Sequence, residues 1–133
     1  GPVPRAGASY PYVRCAALFR ALRRAARPAR GPVAEALRRP SAGERALIAE
    51  AARARAEQAG LPRAAAGPQA ESDISRIAEL YAERFAALAA RDPARWWNDA
   101  LIETDIRACG LLLGSLDAAA PADRAAPEPA PSR

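Results

Sequence analysis

Apolar side chains between residues 74 and 88 recur at steps of three and four positions, which is the period of an α-helix rather than that of a strand. The stripe consists of Ile74, Ile77, Tyr81, Phe85 and Leu88. No segment of the sequence alternates apolar and polar residues over a β-branched run, and Val and Ile are too few for a sheet. The sequence therefore predicts an all-α fold, a small bundle of four to five helices.

Prolines and capping residues divide the first part of the chain into three predicted helices. The first covers residues 11–27 and is ended by the Pro and Gly residues that follow it. A short helix is predicted over residues 32–39. Ser41 and Glu44 then form a capping box, in which the serine hydroxyl accepts the backbone N–H three residues on. This box predicts a third helix that ends at Gly60.

The second part of the chain is predicted to begin with a linker, because residues 61–71 are rich in Ala, Pro and Gly. Ser72 is predicted to cap a long helix, and Asp92 followed by Pro93 is predicted to start the final helix. Since the turn between these two helices is very short, we expect a long C-terminal antiparallel hairpin over residues 72–117. Most of the large side chains lie in this segment, so the hairpin is expected to form the core.

These assignments predict a single helical domain over residues 10–117, with a basic front half over residues 10–60. Residues 1–9 are predicted to be a flexible tail, and residues 118–133 a disordered tail rich in Ala and Pro. Gly1-Pro2 resembles the scar left by protease cleavage, so the natural N-terminus is expected to lie further upstream.

A set of residues is predicted to pack the helices together. These helix-packing residues are Cys15, Phe19, Tyr81, Phe85, Trp97, Leu101, Gly110 and Gly114. The two glycines lie four positions apart in an apolar run, and we expect them to let the first helix approach closely near Cys15. Adjacent residues of a helix point about 100° apart, so Trp96 and Trp97 are not expected to face the same core. Trp97 is predicted to point inward, which leaves Trp96 near the boundary as an anchor for a partner.

Cys15 and Cys109 are the only cysteines of the chain. Neither belongs to a C-x-x-C motif, so the sequence favours neither a zinc site nor a redox centre. Each lies on the predicted apolar side of a helix, where a free cysteine usually behaves as a small apolar residue. Free thiols in a reducing cytoplasm are therefore the favoured interpretation. A single disulfide between the first and last helices is the alternative.

Charge is distributed unequally along the chain. Residues 1–70 contain 13 Arg and 4 Glu, a net charge of +9, whereas residues 71–133 contain 7 Arg and 11 acidic residues, a net charge of −4. Such asymmetry favours an acidic partner for the front half, or two halves that face each other in one chain or in a homodimer.

Arginines concentrate on one face of the first predicted helix. The predicted partner-binding residues are Arg20, Arg23, Arg24, Arg27, Arg38, Arg39 and Trp96. Guanidinium groups bind carboxylates and phosphates through two parallel hydrogen bonds, so this face suits an acidic protein or a nucleic-acid backbone. An anionic membrane surface is a less favoured partner, and a solvated face with no partner is the simplest alternative.

Catalytic chemistry is poorly represented. The chain has no histidine and no lysine, so the commonest general base and the amine nucleophile are both missing. Acidic residues cluster on the last two predicted helices, but no His or Lys accompanies them, so the sequence does not favour acid–base catalysis there. We also expect no bound metal and no cofactor. The sequence thus predicts a non-catalytic helical interaction module, an adaptor or regulator that binds an acidic protein. The alternative is non-specific nucleic-acid binding by the basic front half.

Overall fold

A computed structural model of the chain describes residues 7–125, with the side chains of residues 7–117. This part of the chain is helical and contains no strand, which confirms the all-α prediction. Its five α-helices, numbered in chain order, are α1 (Tyr10–Ala26), α2 (Pro32–Ala36), α3 (Ala42–Ala59), α4 (Arg63–Arg91) and α5 (Ala100–Ala125). A 3₁₀ turn, Pro93–Arg95, lies between α4 and α5.

The caps of α3 have the predicted chemistry. The Ser41 hydroxyl accepts a hydrogen bond from the Glu44 backbone N–H at 3.1 Å, which satisfies one of the free donors at the start of the helix. Gly60 ends α3 in the left-handed conformation, with φ at 63°, where a residue without Cβ is favoured. The Glu44 side chain does not complete the box, because it is buried and bound to arginines of α1.

The predicted linker over residues 61–71 is wrong, because α4 begins at Arg63 and not at Ser72. Gly67 and Pro68 lie inside its first turns, where the proline has no N–H to give to the carbonyl of Ala64. Two observations explain why the helix forms here nevertheless. Alanine has the highest helix propensity, and two alanines of this segment are fully buried, namely Ala66 and Ala70.

The start of the last helix also differs from the prediction. Asp92 and Pro93 start only the 3₁₀ turn, and α5 begins at Ala100. Asp99 caps α5 instead, because its Oδ2 accepts the Ile102 backbone N–H at 3.2 Å. At the other end α5 continues to Ala125, so the tail predicted from residue 118 is helical in its first part.

The core lies between α1, α3 and α4. The Ser9–Arg55 and Arg23–Glu44 hydrogen bonds show that α1 and α3 run in opposite directions. Leu18, Leu47 and Ile74 are fully buried, one from each of these helices. Many of the other core residues are alanines, which allow close approach of the helices but bury little area each. The predicted core, a hairpin over residues 72–117, is therefore replaced by a three-helix core.

Helix α5 is attached to this core through one face. Among residues 100–117 of this helix, Ile102, Asp105 and Cys109 are buried. Its backbone approaches α1 and α3, whereas side chains make its connection to α4. The approach to α3 is close, since a Cβ added to Gly43 would lie 2.7 Å from Leu113 Cδ2.

Several residues that were predicted to pack inside lie on the exposed side of α5 or before its first residue. Trp97 and Leu101 are 48% and 53% exposed, so the prediction that they point inward is wrong. The later start of the helix explains the error, because the buried face runs through Ile102 and Cys109, one position further along. Gly110 and Gly114 are exposed, and a Cβ added at either would meet nothing within 4 Å. The expected close approach of α1 at these glycines is wrong as well.

Cys15 and Cys109 form a disulfide between α1 and α5, with 5.3 Å between their Cα atoms. The favoured prediction of free thiols is wrong, and the alternative of one disulfide is confirmed. Both residues are buried, and Cys15 is packed in the core together with Phe85, while Phe19 and Tyr81 pack against that core. The disulfide thus ties the last helix to the first, across 94 positions of the sequence.

Removal of this disulfide is expected to destabilise the fold strongly. Replacing Cys15→Ala and Cys109→Ala together should lower the free energy of unfolding by about 2–5 kcal/mol, because a long loop is no longer closed in the unfolded chain. Urea denaturation followed by circular dichroism measures the change. The wild-type chain under a strong reductant is the matched control and should show the same loss. An unchanged midpoint in both samples contradicts the role assigned to the disulfide.

Candidate interaction surface

Two of the arginines predicted to bind a partner are used inside the protein. The Arg20 guanidinium donates to both carboxylate oxygens of Glu71, at 2.6 and 2.8 Å, and to the Ser75 hydroxyl at 3.2 Å. Arg23 binds both oxygens of Glu44, at 2.7 and 3.0 Å. Since both guanidinium groups are largely buried, the prediction that Arg20 and Arg23 bind a partner is corrected.

Glu44 is the centre of this buried network. Its carboxylate is fully buried and lies between Arg23 and Arg20, with Arg20 Nε at 3.5 Å from Oε2. Arg23 also donates to the carbonyls of Leu37 and Arg38, so the chain between α2 and α3 is bound to α1. A buried carboxylate is costly to leave unpaired, so both guanidinium groups are needed here.

The two oppositely charged halves of the sequence face each other. Besides Arg20–Glu71, the ion pairs Arg14–Asp105 and Arg55–Asp73 join a basic residue of the front half to an acidic residue of the second half. This arrangement confirms the interpretation that the two halves face each other in one chain. Part of the positive charge that was expected to attract an acidic partner is therefore paired within the chain.

Hydrogen bonds shift the pKa of several of these groups. The Arg20 guanidinium lowers the pKa of Glu71, and Arg84 lowers that of Asp99. The contribution of Glu71 to stability is therefore present above its ordinary pKa and is lost as the pH falls through the lowered value. Burial raises the pKa of Tyr81, whose hydroxyl donates to Asp105 Oδ2 at 2.8 Å and connects α4 to α5.

The remaining arginines predicted to bind a partner are exposed. Arg24 and Arg27 lie on the last turn of α1 and just beyond it, and Arg38 and Arg39 lie between α2 and α3. Arg38 forms an ion pair with Glu35 at 3.1 Å, in which both side chains remain in solvent. Exposed pairs of this kind contribute little, so these arginines keep most of their capacity to bind an anion.

A groove opens between the last turns of α1 and the second half of α4. Its volume is about 390 Å³ and its surface is mainly apolar. The residues that line it are Ala21, Arg24, Ala25, Ala78, Glu79, Ala82, Phe85, Ala86, Ala89 and Trp96. Alanines form most of the lining, and Arg24 and Glu79 supply its charged groups.

Two aromatic rings, those of Phe85 and Trp96, belong to the lining of this groove. The Trp96 ring lies 5.0 Å from that of Phe85 and is tilted by 54°, and Tyr81 stacks on Phe85 at 6.1 Å. Trp97 meets Trp96 edge to face at 5.6 Å and remains exposed. Trp96 and Arg24, both predicted to bind a partner, belong to the lining, whereas the alanines of the lining were not singled out in the sequence. The available signal was the recurrence of alanine at steps of three and four along α4.

Comparison with known proteins gives no relative, since no family model, curated protein or solved structure matches the chain. None of the described helices combines the length and apolar character that crossing a bilayer requires. Within the described residues, no three Cys, Asp or Glu side chains are grouped so that they could hold a metal ion.

The buried and exposed carboxylates of the arginine network are expected to differ in their effect on stability. Glu44→Ala should lower the free energy of unfolding by about 3–5 kcal/mol, because it leaves the buried Arg23 guanidinium without its anion. Glu71 is about half exposed, so Glu71→Ala, the matched control, should cost only about 0–1 kcal/mol. Urea denaturation at neutral pH measures both values. Equal losses in the two variants contradict the central role of Glu44.

Proposed function

We propose that the protein is a non-catalytic interaction module, an adaptor or regulator, and that its groove between α1 and α4 binds an acidic amphipathic helix of a partner protein. The observation that carries this proposal is the groove itself, which is lined mainly by alanines, by the contacting rings of Phe85 and Trp96, and by Arg24.

The shape of the groove favours a helical ligand. Small residues on both sides, such as Ala25 and Ala82, leave room for the apolar face of a helix to lie between α1 and α4. Phe85 is buried in the lining, and the half-exposed Trp96 ring offers a broad apolar contact of the kind enriched in interface hot spots.

The charges beside the groove favour an acidic ligand. Arg24 belongs to the lining, and Arg27 lies one turn further along the chain and is exposed. A carboxylate on the partner helix would bind these guanidinium groups through charge-assisted hydrogen bonds. Glu79 is the only acidic residue among the described residues that line the groove, and its negative charge would repel a carboxylate of the partner helix on that side of the groove.

The disulfide is relevant to the cellular compartment in which the protein acts. Disulfides persist mainly in oxidising compartments and are rare in the cytosol. The Cys15–Cys109 bond therefore supports a proposal that the protein acts in an oxidising compartment, in place of the cytoplasm expected from free thiols.

Binding of model helices tests the groove. Two synthetic amphipathic peptides should share one apolar face and carry either Glu or Gln on the polar face, and isothermal titration calorimetry measures their affinity. We expect the Glu peptide to bind more tightly, and Arg24→Glu with Arg27→Glu to weaken it at least about tenfold, equivalent to ~1.4 kcal/mol. Ala82→Leu, which places a larger side chain in the lining of the groove, should weaken the binding of both peptides.

Matched controls separate this function from a general attraction of anions. Arg45→Glu with Arg63→Glu makes the same change in net charge at exposed positions outside the groove lining and should leave the affinity unchanged. Equal losses from both charge variants, or no effect of Ala82→Leu, contradict binding in the groove. Tight, steeply salt-dependent binding of an arbitrary DNA duplex, with neither peptide bound, would instead support the nucleic-acid alternative.

A further inference from the structure

Helix α5 has apolar residues on two faces, and among the described residues only one of these faces is covered. The inner face buries Ile102 and Cys109 against the rest of the molecule. The outer face carries a stripe formed by Leu101, Thr104, Ala108 and Leu111, all of them exposed. Leu101 is 53% exposed and Leu111 is 73% exposed, although the exposed face of a helix usually carries polar residues. We name these four residues the outer stripe.

We propose that the outer stripe is a dimerisation surface that binds the outer stripe of a second copy of this chain, with the two α5 helices antiparallel. The spacing of the stripe supports this choice of occupant. Its residues follow one another at steps of three, four and three, with a leucine at each end and small residues between. A two-fold axis near residue 106 therefore places Leu101 opposite Leu111 of the second copy, and Thr104 opposite Ala108.

The middle of the stripe is suited to close approach of two helices. Ala108 has only a methyl group, and the Thr104 hydroxyl donates to the Ala100 carbonyl of its own helix at 2.8 Å. Because that hydroxyl is already satisfied, the methyl group of Thr104 is free to face an apolar surface. A symmetric interface requires one surface to be complementary to itself, and the outer stripe has this property.

Charges beside the stripe support the antiparallel direction. Glu103 and Arg107 lie one turn apart on the same flank of α5, and neither forms an ion pair within the part of the chain that the structure describes. With the axis near residue 106, Glu103 of each copy comes within two positions of Arg107 of the other. Two Glu103–Arg107 ion pairs would thus form between the copies, and this proposal does not depend on the groove between α1 and α4.

Sedimentation equilibrium of the full chain tests the proposal. We expect the mass to rise with concentration from 14.0 kDa towards twice that value, because a single helix pair is a small interface and the dimer is weak. Leu101→Asp should keep the mass at that of the monomer. Val33→Asp, at a residue of similar exposure on α2, is the matched control and should leave the dimer intact.

A charge exchange tests the direction of the helices. Glu103→Arg alone should weaken the dimer at least tenfold, because the flank then carries only arginines, and Glu103→Arg with Arg107→Glu should restore it. Circular dichroism verifies that each variant is folded. A monomer at all concentrations overturns the proposal. So does a dimer that is insensitive to Leu101→Asp, or a failure of the double exchange to restore a dimer that the single exchange has weakened.

Discussion

The buried carboxylate of Glu44 is the interaction on which the arrangement of the first three core elements depends. Glu44 lies in the first turn of α3, and its carboxylate accepts hydrogen bonds from Arg23 of α1 and lies beside Arg20, which in turn binds Glu71 of α4. One charged group thus fixes the relative positions of three helices and of the segment after α2. Removing one member of a buried ionic network costs more than the network adds to stability, so these residues constrain one another.

The apolar core around this network is built largely from alanine, and this explains the importance of the covalent bond. Alanine packs helices closely but contributes little hydrophobic free energy per residue. Helix α5 adds only a few buried side chains, among them Ile102 and Cys109. The Cys15–Cys109 disulfide compensates for this small apolar contribution by reducing the conformational entropy of the unfolded chain. This is the usual role of such bonds in small domains with weak cores.

The sequence was sufficient to predict structural features that depend only on neighbouring residues. The Ser41 cap and the left-handed Gly60 were predictable because each depends on a few neighbouring residues. The linker failed because Gly67 and Pro68 are helix breakers by intrinsic preference, whereas burial of Ala66 and Ala70 is a property of the whole fold.

The candidate site was predictable only in part, because the roles of its residues depend on contacts between distant segments. Exposed and buried arginines look alike in sequence, and nothing local shows that Arg20 and Arg23 face Glu71 and Glu44. The phase of α5 was missed by one position, since the helix starts after the 3₁₀ turn and not at Pro93. That shift turned a predicted packing stripe, with Leu101, into a surface stripe.

The long separation between the two cysteines has a consequence for biosynthesis. Cys15 is translated 94 residues before Cys109, so their disulfide cannot form while α2, α3 and α4 are being made. Any packing of these helices on the nascent chain therefore takes place without the covalent bond. The bond can close only when the first half of α5 has been translated, so it becomes available after every helix of the three-helix core has been made.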